Sequence, residues 1–80
     1  MTEKIIFTLH AIERMKQRRI SIEEIRNCLK FPDKMIIEHG ICKCIRKVDN
    51  KVIIVVFRKE DNKIIVITTY KSSRVAKYLK

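Results

Sequence analysis

The stretch Val52-Ile53-Ile54-Val55-Val56-Phe57 is apolar at every position, so it has no side suited to water. Its length and β-branched content fit a strand buried on both faces, the central strand of a sheet with a helix layer over at least one face. In a chain of 80 residues the cover for that strand has to come from the segments close to it.

The preceding residues supply the cover. Thr8 is suited to N-cap a first helix over about residues 9 to 18, with Leu9, Ile12 and Met15 on its apolar side and Ala11 alongside. Arg19-Ile20 breaks the period. Ser21-Ile22-Glu23-Glu24 then reads as a capping box, with Ile20 placed to staple onto Ile25 across it. The second helix runs to about Lys30, burying Ile22, Ile25 and Leu29 with Cys28 beside them, and Phe31-Pro32-Asp33 ends it. Ahead of both helices, Ile5-Ile6-Phe7 is either a brief edge strand or an apolar anchor.

From Lys34 onward the period changes to two. Met35 to Glu38 and Ile41 to Val48 read as strands joined at His39-Gly40, and Asp49-Asn50 leads into the central strand. Glu60-Asp61-Asn62 turns the chain into a last strand, Ile64 to Tyr70, with Thr68 and Tyr70 on one face and Thr69 on the other. Ser73 is placed to cap a final helical turn carrying Val75, Tyr78 and Leu79. The expectation is a single α+β domain over residues 1–80, two N-terminal helices packed on an antiparallel sheet of about four strands.

Nineteen Lys and Arg against nine Asp and Glu give a net charge of +10, which favours a polyanionic partner, nucleic acid first. Aromatic residues make up only 6% of the chain, too few for base stacking to be the sole means of binding single strands. No apolar run approaches the roughly 20 residues that span a bilayer, and no long apolar leader opens the chain, so a cytoplasmic, membrane-free protein is expected. Cys28, Cys42 and Cys44 are an odd set and read as buried thiols. The Cys42-Lys43-Cys44 triplet near His39 lacks a second ligand pair at metal-site spacing, so neither a metal nor another cofactor is expected.

The chemistry-bearing row is His10, Arg14 and Arg18. Residues four apart on a helix stack on one face with a drift of about 40° per step, so an imidazole and two permanent cations point the same way from the helix shoulder. Taken singly, each residue has an ordinary role. His10 can serve as a cap or hydrogen-bonding partner, Arg14 can pair with Glu24, and Arg18 can sit favourably at a helix C-terminus.

The pattern His-Ala-x-x-Arg-Met-x-x-Arg at His10 to Arg18, then Ile20-Ser21, a second helix and Val-Ile-Thr-x-Tyr at Val66 to Tyr70, resembles the small family catalogued as domain of unknown function 4258. The resemblance runs from about Thr8 to Tyr70. It implies a relation to the RelE and BrnT toxins and to small metal-independent ribonucleases, a RelE-like fold, and a site made of His10, Arg14, Arg18, Thr68 and Tyr70. One position departs from the pattern: Arg19 stands where relatives commonly have Gly, which stiffens the turn and adds a cation.

Metal-free RNA cleavage needs a base for the 2′-hydroxyl, an acid for the leaving oxygen, and cations for the phosphate charge. His10 can act as acid or base, the only kind of side chain whose unperturbed form does both at neutral pH, and the Arg14 and Arg18 forks can hold phosphate bidentately. The expected catalytic set is His10, Arg14, Arg18 and Tyr70, with Arg19, Lys43, Arg46 and Thr68 binding substrate. An endoribonuclease of toxin type, held in check by an acidic antitoxin-type protein, is the leading expectation. A noncatalytic nucleic-acid-binding or regulatory module of the same fold is the alternative, and a module that pairs through an exposed strand edge is a third.

Overall fold

The computed structural model describes residues 4–79, which form five strands and three helices. In chain order these are β1 (Lys4–Phe7), α1 (Leu9–Arg18), α2 (Ile22–Lys30), β2 (Lys34–Glu38), β3 (Ile41–Val48), β4 (Lys51–Glu60), β5 (Lys63–Ser72) and α3 (Val75–Tyr78). The strands make one mixed sheet in the order β1-β5-β4-β3-β2, with the all-apolar strand in the middle. The fold class is α+β, but the sheet has five strands where about four antiparallel ones were expected. Ile5-Ile6-Phe7 is the edge-strand alternative: β1 lies parallel to β5, from Lys4 opposite Lys63 to Phe7 opposite Val66.

Local signals place the helices where the sequence has them. Thr8 caps α1, its hydroxyl oxygen accepting from the Ala11 N–H at 3.1 Å. Ser21 and Glu24 form the full capping box, each side chain accepting the other's backbone N–H at 3.1 and 2.9 Å. Between the helices Arg19 adopts the left-handed conformation at φ 54°, and the Ile20 N–H donates to the Met15 carbonyl, closing a Schellman-type turn. Ile20 and Ile25 are buried together. The last helical turn differs from expectation: Arg74 occupies the cap position without a side-chain bond, and Ser73 does not cap it.

The buried faces of the helices are narrower than their apolar residues suggest. In α1 Ala11 is fully buried and Met15 packs against the core, whereas Leu9 and Ile12 point outward. A methyl-sized contact lets the helix backbone lie close to β5, and the bulky neighbours fall to its sides. In α2 Ile25 and Cys28 are buried and Leu29 partly so, while Ile22 is half exposed.

Strand register assigns the two faces of the sheet. Ile53, Val55, Phe57, Ile64 and Val66 lie under α1 and α2 in one core cluster; Ile45, Val52 and Ile54 face the other way, under Tyr70, Val75, Tyr78 and Leu79. Between β4 and β5 the pairing steps from Val56 opposite Thr68 to Phe57 opposite Val66, leaving Ile67 as an unpaired extra residue. The bulge is tied to α1, since the Thr8 hydroxyl donates to the Ile67 carbonyl at 2.9 Å and the Thr8 N–H to the Val66 carbonyl at 3.1 Å. One threonine therefore caps the helix, ends β1 and fixes the kink in β5.

The three cysteines are free thiols. Cys28 and Cys44 are fully buried between α2 and β3, with Cys28 Sγ donating to Cys44 Sγ at 3.2 Å and Cys44 Sγ in turn donating to the Cys28 carbonyl at 2.6 Å. The Cys28 thiol is pushed up by that bond to Cys44 and by burial.

Candidate active site

The first turns of α1 build the site. Thr8 anchors the helix start to the β5 bulge, and from that point His10, Arg14 and Arg18 rise along one side of the helix as the four-residue spacing requires. His10 is exposed, Arg14 is partly buried, and Arg18 is exposed. Arg14 Nε donates to His10 Nε2 at 3.4 Å, while Arg14 Nη1 donates to Gln17 Oε1 at 3.0 Å. The anticipated Arg14 to Glu24 pairing does not occur. Glu24 instead meets Lys71 at 3.5 Å, and Arg14 is held by Gln17. Arg18 has no hydrogen-bonding or ion-pair partner among the described residues, which leaves its guanidinium free for an anion.

The row ends at a basic corner. Arg19 projects from the left-handed turn, and Lys71 Nζ reaches the Arg19 carbonyl at 3.3 Å, crossing from the sheet to the helix end. Burial pushes the Glu24 carboxyl up, but the Ser21 backbone N–H and the Lys71 ammonium more than offset it and hold the group below the usual carboxylate range. Gln17 and Lys71 escaped the sequence reading. Gln17 had a usable signal in its three-residue spacing from Arg14; Lys71 had none, because its side of β5 is set by the bulge.

The remaining expected residues do not join the row. Thr68 pairs with Val56 and Tyr70 with Ile54, on the sheet face turned away from α1 and α2. The bulge moves them there, and the residue it turns under the helices is Thr69, buried with its hydroxyl donating to the Ile54 carbonyl at 2.9 Å. Tyr70 packs edge to face with Tyr78, ring centroids 6.2 Å apart, and burial followed by the neighbouring Tyr78 phenol raises its pKa. Its phenol is thus engaged with α3 and not with His10. Lys43 pairs with Val56 and shares the Thr68 face. Arg46 is on the helix side of the sheet, but its Nη1 donates to the Phe31 carbonyl at 2.7 Å and so caps the C-terminal end of α2.

An open cleft of about 260 Å³ adjoins the basic corner on its sheet side, lined by Glu24, Val48, Asp49, Asn50, Lys51, Ile53 and Lys71. None of the His10 row lines it. Among the described residues no group of His, Cys, Asp or Glu is placed to hold a metal ion, and no helix is long and apolar enough to cross a membrane.

Compared with known proteins, the chain matches a family model described as Domain of unknown function (DUF4258) over residues 7–71. No curated protein and no solved structure matches it.

Proposed function

Because the chain belongs to the DUF4258 family, whose description assigns no activity, we propose from its own residues that it is a metal-independent endoribonuclease of toxin type, related to the RelE and BrnT group. The observation that carries this reading is the His10–Arg14 contact beside an unpartnered Arg18, in a chain of net charge +10. An imidazole next to two fixed cations supplies what attack by a 2′-hydroxyl on its own phosphate requires.

In the proposed reaction the phosphate draws Arg14 Nε away from His10, the imidazole nitrogen so released takes the 2′-hydroxyl proton, and the 2′-oxygen forms a new bond to phosphorus as the bond to the 5′-oxygen breaks. The leaving 5′-oxygen takes a proton from solvent, and the product ends in a 2′,3′-cyclic phosphate. Arg14, held by Gln17, supports the incipient charge on the phosphate, while Arg18 and Arg19 hold the flanking backbone. An acidic antitoxin-type partner would silence the protein by covering the same cations.

The second reading is a noncatalytic RNA-binding or regulatory protein. It gains from the position of Tyr70, which leaves His10 without a phenol to act as its acid partner. One experiment separates the two. End-labelled single-stranded RNA is incubated with the protein in chelator, beside His10→Ala and Arg18→Ala. Cyclic-phosphate ends lost in His10→Ala, with salt-sensitive binding retained, are the expected result. Intact RNA with equal binding by wild type and His10→Ala would favour the binding module.

A further inference from the structure

The outer edge of β2 ends the sheet, and its sequence Lys34-Met35-Ile36-Ile37-Glu38 is complementary to itself when reversed. We infer that β2 pairs antiparallel with β2 of a second copy of this chain about a two-fold axis at Ile36, joining the two sheets into one.

Three observations converge on that occupant. First, the backbone is free in the required phase. β2 and β3 are joined by the two-residue turn His39-Gly40, both at positive φ (52° and 78°), with Glu38 opposite Ile41 at the turn. In such a hairpin the flanking residues exchange their hydrogen bonds with each other, and the alternation then points the N–H and C=O groups of Met35 and Ile37 away from β3. A two-fold axis at Ile36 sets Met35 opposite Ile37 of the second copy, so these outward groups meet their counterparts without a shift of register.

Second, the side chains match. On one face Lys34 stands opposite Glu38 of the second copy at both ends, with the two Ile36 residues between them. On the other face Met35 stands opposite Ile37. Without a partner these apolar groups lie open: Met35 is 41% and Ile37 68% exposed, beside Phe31 at 62%. Third, nothing else in the described chain covers this edge. The opposite edge strand, β1, is followed directly by α1, whereas β2 carries neither a bulge nor a proline to deter pairing. The contact is isologous, so it closes at two chains.

The test is charge reversal read by sedimentation and light scattering over a range of protein concentrations. The wild type is expected to dimerise reversibly. Lys34→Glu and Glu38→Lys each put like charges opposite at both ends, and each is expected to weaken association about tenfold while leaving the monomer folded. The double variant K34E/E38K is expected to regain the wild-type affinity. Mixing K34E with E38K is expected to give a heterodimer, since opposite charges then face each other at both ends. A wild type that stays monomeric at every concentration, or single variants that dimerise as well as the wild type, would overturn the inference. So would a mixture of the single variants that fails to associate, or a monomer that instead takes up an alternating acidic and apolar peptide along β2.

Discussion

The two faces of the sheet are built by different means. Under α1 and α2 the contact is a continuous layer with ten buried apolar residues among those described, fixed by a helix cap, a capping box and a left-handed corner. On the other face three buried residues are covered by α3, a single turn whose cap position has no side-chain bond. The first face is specified by local signals before it packs, and the second is specified only by packing. The contrast teaches that in so small a domain most of the stability belongs on the capped face.

The sharpest way to break the contrast is to cut equally into both faces. Phe57→Ala under the helices is expected to cost about 3–5 kcal/mol, close to the whole stability of a small domain. Tyr78→Ala in α3 is expected to cost clearly less and to leave the unfolding transition cooperative. Urea denaturation of the two variants measures the difference, and equal losses would show that α3 matters as much as both helices. A smaller effect has the opposite sign. Arg19 holds a left-handed conformation that glycine adopts without strain, so Arg19→Gly is expected to stabilise by about 1 kcal/mol in the same assay.

The smallest effect is a pH dependence at the capped face. Glu24 has a depressed pKa in the folded state, so it favours the folded state above its ordinary value of 4.5, and that contribution is lost as pH falls through the lower folded value. Glu24→Gln is expected to flatten stability in that acid window and to leave the slope near neutrality unchanged. Thermal melts between pH 7 and strongly acidic buffer, compared for both proteins, test it.

Much of the fold was legible because its punctuation is local. Thr8, the Ser21–Glu24 box, Pro32 and the His39-Gly40 turn each act through the backbone of their own neighbours, and each marks a boundary found in the structure. The buried side of α1 was not legible in the same way. Leu9 and Ile12 carry the apolar signal, but close approach to β5 selects Ala11, and approach distance is a property of the assembled layers. The site divides likewise. The His10, Arg14 and Arg18 row follows from helix geometry alone, while its expected union with Thr68 and Tyr70 depended on the side of β5 they occupy. Ile64 to Tyr70 is β-branched at nearly every position, so its pattern looks the same with or without an extra residue.

That extra residue, Ile67, gives the chain a change of parity. Odd and even positions exchange roles at one point, and every later side chain inherits the exchange: Lys71 reaches Glu24 instead of solvent, Tyr70 meets Tyr78, and the segment leading to α3 leaves on the side it must cover. Were Ile67 to take an ordinary place in the ladder, opposite Val56, the meaning of the next dozen residues would invert. Thr69 and Lys71 would pass to the α3 side, and Thr68 and Tyr70 would be driven under the helices. A comparison of this strand with any relative therefore has to count positions separately before and after Ile67, because a single residue of misalignment there reads one face of the sheet as the other.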